Sequence, residues 1–474
     1  MTLDADTITR EDQRWYEGIT RYQWVVLIIA SLGWVFDVFE GQIFVASMNE
    51  AMPSLTTAEQ ATKVPLFNNI ALGAFLLGGA LGGILFGMVS DRIGRTRTMS
   101  ITILFYSVFT CISAFSQAWW HMAIFRFLVA LGVGGEWAIA SAMVYEVFPK
   151  RARAHVGGIF HASSVFGTYL AVAAGYYLIG SDTVAQWAAS LDITWIDTET
   201  IPWRLGFAMG VIPAVLIIWI RLSLREPDDW KTARQQADAG VGDKLGSLGE
   251  LFTAPFIKKT LVGVSLSTIG LATFWGAHIY GKNVFKETVI TEMVTERTTE
   301  SLESADEIRT HILRNEKSTV KSWEMLGMLI TTTGGGLGLI FFGPICHRAG
   351  RVRTFMLYHL GGFFIALVIF QGSLSTANLY VLLPVFGFLT LGMHAGYAIY
   401  FPELFPTRIR GTGTGFCFNA GRIIAAPILF SMGWLQSTFD VGLFEVASGL
   451  SCLYLLGVVV LLFAPETKDQ PELA

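Results

Sequence analysis

Long apolar runs, separated by short polar, basic and glycine-rich stretches, set the pattern of this chain. Twelve runs, at approximately 23–48, 66–90, 98–118, 120–145, 155–180, 203–222, 259–282, 322–346, 353–371, 378–401, 412–437 and 442–464, are long enough to cross a bilayer as helices. Six precede the hydrophilic stretch 223–258 and six follow it. The expected architecture is an all-α membrane protein of twelve transmembrane helices. It has a polar tail at 1–22, a six-helix bundle at 23–222, a linker at 223–258, a second bundle at 259–464 and a tail at 465–474. An insertion at 283–321 interrupts the second bundle between spans 7 and 8.

A repeat relates the halves. The phrase GMVSDRIGRTRT at Gly87–Thr98 returns as GPICHRAGRVRT at Gly343–Thr354. YEVFPKRAR at Tyr145–Arg153 pairs with PELFPTRIR at Pro402–Arg410 at nearly the same offset. Internal repetition at this scale marks a structural unit used twice. An even number of spans separates the copies, so the bundles run parallel.

Composition agrees with lipid burial. The 474 residues are 53% hydrophobic and only 15% charged, and the net charge of −4 matters less than its distribution. Twenty-two Lys and Arg fall on the side of both termini, including Arg92, Arg95, Arg97, Arg348, Arg351 and Arg353. Outside the 283–321 loop, the opposite side carries Lys63 and Arg204 alone. The excess of basic residues predicts cytoplasmic termini and an inner-membrane location. In the loop, eight acids offset seven bases counted from Lys282 to Lys321. Val289, Ile290, Met293 and Val294 recur there at helical spacing and predict a short external helix, read as a solvated insertion or as a substrate lid.

Five candidates stand well inside spans, where charge is costly: Asp37, Glu40, Arg126, Glu136 and Arg422. At about 1.5 Å rise per residue, Glu40 and Arg126 lie roughly 10 Å below the outer surface and Asp37 and Arg422 near the midplane. Glu136 lies deeper, with His161 at a similar level. Asn419 shares a helical face with Arg422. Structural ties between helices would account for any one of them. As a set, three acids face two bases, and the excess acid needs a proton, a solvated cavity or another cation. An acid beside Arg126 stays ionised, whereas the same acid in apolar surroundings favours its neutral form. An anion competing for Arg126 or Arg422 would therefore release a carboxylate to take up a proton. Asp37, Glu40 and Glu136 are the proton-site candidates. Arg422, Asn419 and Arg126 are the substrate-site candidates, and His161 is a relay candidate.

Glycines crowd spans 2, 5, 8 and 11, with Gly79, Gly83 and Gly87 at four-residue spacing. Close helix packing and sliding gates both call for such faces. Gly276–Asn283 approaches a phosphate-binding loop, but it ends in Asn and follows no strand. The four cysteines read as core residues, and no enzyme motif or metal-ligand spacing is present, so neither enzyme activity nor cofactor is expected.

Gly87-x3-Asp91-Arg92-x-Gly94-Arg95-x-Arg97 and Arg126-x5-Gly132-x-Gly134 resemble signatures of the major facilitator superfamily. Asp37-x-x-Glu40, Gly132–Trp137 and Arg410–Arg422 are similar to its sialate, lactate and other metabolite:proton symporters. The resemblance implies two six-helix bundles around a central cavity, with helix pairs 2/11 and 5/8 as gates. It makes Gly87, Asp91, Arg92, Gly94, Arg95, Arg348, Gly350 and Arg351 a cytoplasmic gate. The second copy has His347 where the first has Asp91, so the two latches are not equivalent. Spans 5 and 7 lack the Gln that sugar porters use, which weighs against a neutral sugar. The expected partners are a small organic anion (a monocarboxylate, aromatic acid or sialic acid), protons and the lipid bilayer. No nucleic acid is expected, and the functional unit is a monomer. The alternatives are a proton-coupled exporter of drugs or cations, a facilitated-diffusion carrier and a membrane sensor.

Overall fold

The structure, a computed structural model, describes residues 14–191, 197–239, 246–300, 304–439 and 441–468. The first 13 residues of the N-terminal tail and the last six of the C-terminal tail lie outside the described residues, as do 240–245 of the linker and 301–303 of the insertion.

The first half runs through α1 (Arg21–Ser54), α2 (Val64–Ile93), α3 (Arg95–Ser113), α4 (Trp119–Val147), α5 (Lys150–Ala162), α6 (Ser164–Ala174), α7 (Asp182–Ala189), α8 (Ile201–Ala208) and α9 (Ala214–Ser223). A linker helix, α10 (Asp228–Asp238), follows. The second half comprises α11 (Ile257–Gly276), α12 (Gly281–Glu300), α13 (Ala305–Asn315), α14 (Lys317–Ala349), α15 (Arg351–Gln371), α16 (Thr376–Gly392), α17 (His394–Leu404), α18 (Arg410–Phe439), α19 (Leu443–Ser451) and α20 (Leu453–Leu461). Among the described residues, ten helical segments are long and apolar enough to span a membrane. The α3 and α18 helices complete the twelve expected spans. Val215, Ile218, Leu222, Phe364 and Leu462 face outward, more exposed than a water-soluble surface would leave them.

The repeated glycine has a backbone cause. Gly94 and Gly350 hold φ at 111° and 94°, in the region that disfavours side chains, and each turns one helix sharply into the next. The glycine-rich faces divide by partner. Side chains on Gly78 and Gly82 would overlap the backbone of α4, and side chains on Gly334 and Gly338 would overlap that of α16. These positions serve packing within a half. Gly83 and Gly87 face α18 instead, and Gly158 and Gly336 bring α5 and α6 against α14 across the seam. Close packing therefore accounts for the glycines both within a half and across the seam.

One apolar cluster crosses the seam. It joins Trp34, Trp137 and Phe160 of the first half to Phe342, Tyr397 and Phe418 of the second. Toward the end away from the repeated basic phrases, the cores separate. Phe39, Ile43, Phe67 and Trp203 form one cluster, and Phe285, Ile369, Leu383 and Phe386 form another. The halves are thus fused at the basic end and divided at the other.

The insertion differs from its expectation. A short external helix was expected beyond a span ending near 282. Span 7 instead breaks after Gly276, makes a single turn at His278–Tyr280 and resumes as the 20-residue α12. Val284, Phe285 and Ile290 hold α12 in the core. The charges of the segment are spent between α12 and the residues after it: Arg309 bonds Glu287 at 2.5 Å and Arg297 bonds Glu316 at 2.7 Å. Charge density hid an apolar stripe from the span count.

Candidate functional site

Three constellations carry the polar chemistry of the interior. The first is at the basic end and is built twice. Arg95 is fully buried and pairs with Asp91 and, at 2.9 Å, with Glu146. Arg351 pairs with Glu403 at 2.7 Å. Glu226 accepts from the backbone N–H of Arg95 at 2.6 Å and of Thr96 at 3.1 Å. Glu466 does the same for Arg351 at 3.0 Å and Val352 at 3.2 Å. A carboxylate at a helix N-terminus satisfies donors that the helix cannot. Among the described residues, Arg92 and Arg348 contribute backbone carbonyls, to Arg234 and to Lys468 at 3.0 Å respectively. Across the seam, Asp91 accepts from the N–H of Thr412 at 2.9 Å and from its hydroxyl at 2.5 Å. Gly87 lies against Gly411. The His347 ring, in the place equivalent to Asp91, sits 5.5 Å from that of His155 across the same seam.

The second constellation is the acid cluster within the first bundle. Asp37, Glu40 and Glu136 are 1%, 0% and 0% exposed. Among the described residues no donor is placed to bond either oxygen of Asp37, either of Glu40 or Oε1 of Glu136, although the Tyr106 and Thr110 hydroxyls stand beside Asp37 and Glu40. Oε2 of Glu136 accepts from the Thr102 hydroxyl at 2.7 Å. Asp37 lies within electrostatic reach of Glu136, Glu40, Tyr106 and Arg422. Arg126 reaches Glu40 by its backbone carbonyl, at 2.8 Å, and the Ser113 hydroxyl at 3.1 Å. Its guanidinium stacks over Phe207 at 4.9 Å. No carboxylate oxygen of a described residue comes within ion-pair distance of it. Arg126 therefore sits among α1, α3, α4 and α8, inside the bundle. Glu136 and His161, expected at one level, turn apart. His161 accepts from Trp137 Nε1 at 3.2 Å and faces Trp34 and, across the seam, His394.

The third constellation is the seam itself. Arg422 and Asn419 of α18 seat against Gly79 and Gly83 of α2, where a Cβ would overlap them. Asn419 donates to the Gly415 carbonyl at 2.9 Å, and its Oδ1 is buried without a partner. The Arg422 guanidinium packs over Phe418 at 5.1 Å and meets no hydrogen-bond acceptor among the described residues. Elsewhere along the seam, between α1 and α6 of one half and α11, α12 and α14 of the other, lies a cavity of ≈ 70 Å³. Val38, Gln42 and Thr168 line it from one side, and His278, Lys282 and Thr331 from the other. Ligand sites usually enclose roughly 300–1,000 Å³, so this cavity is contracted.

Sequence reasoning placed the Arg and Gly of the repeat but not their partners. Glu146 and Glu403 were visible as the shared acid of the second repeated phrase. Glu226 and Glu466 each follow the last span of a bundle beside a proline, in REPD and APET, and that parallel was the available signal. Lys282 and Glu324 had none, because they counted as solvated loop and span edge.

Two parallel helical bundles, a duplicated basic phrase and a polar seam are the architecture of a membrane transporter. The chain belongs to the Major Facilitator Superfamily, whose sequence profile matches residues 41–427. A probable 4-methylmuconolactone transporter of Cupriavidus pinatubonensis is 27% identical over 96% of this chain and 93% of its own. A cis,cis-muconate transport protein of Acinetobacter baylyi is 27% identical over 85% and 86%. A sialic acid transporter of Escherichia coli is 26% identical over 93% and 95%. Among solved structures, a proton:xylose symporter shares the fold at a TM-score of 0.67, with 18% identity over 95% and 98% of the two chains.

Proposed function

We propose that this protein is a proton-coupled symporter that imports a small organic anion by alternating access. It sits in the inner membrane with both termini in the cytoplasm. The observation that carries the reading is Arg422. A buried guanidinium stands at the seam without an acceptor, within reach of Asp37, whose oxygens lack donors. A guanidinium with open donors suits a carboxylate, which it can hold by two parallel bonds. A buried carboxylate without a donor is stable only when a proton or a cation neutralises it. Anion and proton thus complete the same site.

In this reading Arg422 and Asn419 anchor the substrate carboxylate. Asp37, Glu40 and Glu136 carry protons, His161 relays them, and Arg126 holds the α1 segment that bears the acids. The duplicated Gly87–Arg95 and Arg348–Arg351 phrases form the cytoplasmic gate, closed in this structure. Muconate and sialic acid, named for two of the relatives, are carboxylic acids, and this supports the substrate class. A cation as cargo fits poorly, because Arg422 would repel it.

Uptake into proteoliposomes under an imposed pH gradient tests the reading, with a panel of labelled benzoate, cis,cis-muconate, lactate, sialic acid and xylose. Gradient-driven accumulation of at least one acid is expected. Uptake of acids that ignores the gradient would remove proton coupling. Transport of xylose alone would remove the anion.

A further inference from the structure

Four charged side chains alternate along the end of the molecule where the cores divide. Glu50 at the end of α1 lies 3.5 Å from Lys321, Lys321 lies 3.5 Å from Glu324, and Glu324 bonds Lys282 at 2.6 Å. Lys282, Lys321 and Glu324 are 6%, 8% and 6% exposed. The row crosses the seam, since Glu50 belongs to the first half and the other three to the second. One end of it, Lys282, lines the central cavity. The links are unequal. Lys282 and Glu324 make a short hydrogen-bonded pair, whereas the Lys321 ammonium and Glu50 Oε2 have no hydrogen-bond partner.

Burying three charges, with Glu50 half-buried beside them, is a poor way to gain stability, because desolvation offsets most of the Coulombic return. Apolar residues would close this end at no greater cost. What the row does supply is an exchangeable counterion beside a cavity. Lys282 is the first-turn residue of α12, just after the break in span 7, and it shares a face with His278 one turn before it. A ligand carboxylate entering the cavity meets the Lys282 ammonium already holding Glu324.

We propose that Lys282 is a second anchor for the substrate anion, and that the arriving carboxylate displaces Glu324 from it. The displaced Glu324 turns to Lys321, its neighbour one helical turn away, and so alters the loose Lys321–Glu50 contact between the halves. Occupancy of the cavity is thereby read at the end of the transporter opposite the Asp91 gate. This rests on the anion reading above and extends it to residues outside the Arg422 site.

The test compares the wild type with K282M, K282R, E324Q, E50Q and the double variant K282M/E324M, reconstituted, with labelled benzoate, cis,cis-muconate, lactate and sialic acid as probes. Wild-type uptake of none of these acids would overturn the anion reading itself. Given wild-type uptake, K282M is expected to raise KM tenfold or more, and K282R to restore it to within about threefold. The double variant removes Lys282 and Glu324 together and leaves Lys321 its contact with Glu50, so it is expected to stay close to the wild type in melting temperature while KM stays raised. A double variant that transports with the wild-type KM would show a structural pair and overturn the proposal. Should K282M fail to fold, the double variant decides alone. E324Q frees the ammonium from its competitor and is expected to lower KM, and a raised KM would count against exchange. E50Q is expected to keep KM within twofold and to slow saturated uptake at least fivefold. An unchanged rate would overturn the link to the seam.

Discussion

Asp91 accepts two hydrogen bonds from Thr412, one from the backbone N–H at 2.9 Å and one from the hydroxyl at 2.5 Å, and so ties α2 to the start of α18. The same carboxylate pairs with Arg95 of its own half. It therefore joins the hinge of the first bundle to the first turn of a helix in the second. The repeat supplies no second copy, because His347 stands in that place and meets a histidine ring instead.

Asp91→Asn keeps the size of the side chain and removes the charge that strengthens both bonds. Hydrogen bonds to a charged group are worth about 1.5–3 kcal/mol each. Loss of one such increment shifts the balance between closed and open at this end by about tenfold or more. Ala138 is buried where α4 meets Gly415 of the opposite half. A cysteine placed at Ala138 is expected to label at least tenfold faster with a membrane-permeant maleimide in the Asp91→Asn background. Equal labelling rates would mean that Asp91 does not hold the seam closed.

Gly83→Ala is expected to abolish uptake, because the new Cβ would overlap the Asn419 amide across the seam. That amide is buried and would have to shift, and overpacking typically costs about 1–3 kcal/mol. Gly449→Ala meets nothing within 4 Å and is the matched control. Uptake and melting temperature should be unchanged there. A Gly83→Ala protein that transports like the wild type would show that α2 and α18 have slack at the proposed anchor.

Much of the fold was legible because lipid imposes it. Backbone groups must be satisfied inside each span, so long apolar runs read directly as helices. The duplicated phrases then fixed the parallel pairing of halves. Positive φ at Gly94 and Gly350 explains why that repeat keeps its glycines. The site was less legible. Asp37, Glu40, Glu136 and Arg422 stood out because charge inside a span is costly. Rise per residue gives depth but not direction around the helix axis. Arg126 was accordingly expected to face a substrate and instead lies within the first bundle, bound to the Glu40 carbonyl. Lys282 was hidden for the opposite reason. Its neighbours Lys286 and Glu287 gave the segment the look of a solvated loop, while Phe285 and Ile290 held it in the core.

Asp37→Asn separates stability from coupling. The carboxylate is buried and neither oxygen has a partner, so removing its capacity for charge relieves the desolvation cost. The melting temperature is expected to hold or rise by a few degrees. Gradient-driven accumulation should fall by tenfold or more, while counterflow exchange of substrate, which needs no net proton movement, persists. A protein that loses both stability and exchange would make Asp37 a structural tie. Functional residues that cost stability are the usual pattern where a site must stay unsatisfied until its ligand arrives.

The paired carboxylate caps predict an ordered stability series. Glu226 and Glu466 each accept two backbone N–H groups at a helix start, α3 and α15 respectively. Glu226 also accepts from the Thr96 hydroxyl at 2.5 Å, where the second half has Val352 with none to give; Glu466 accepts instead from the N–H groups of Thr467 and Lys468 at 3.0 Å, bonds local to its own turn that a Gln oxygen keeps. Substitution by Gln keeps an acceptor oxygen but removes the negative charge that favours a helix N-terminus, worth about 0.3–1 kcal/mol when exposed and up to about 2 when partly buried. Both variants should therefore lower the melting temperature in detergent, Glu226→Gln more than Glu466→Gln. The two caps lie in different halves and share no partner, so the double variant should lose close to the sum of the single losses. Thr96→Val removes the extra hydroxyl and should bring the Glu226→Gln loss down to that of Glu466→Gln. If the losses remain unequal in the Thr96→Val background, the difference lies in the linker that carries Glu226 and not in the hydroxyl bond.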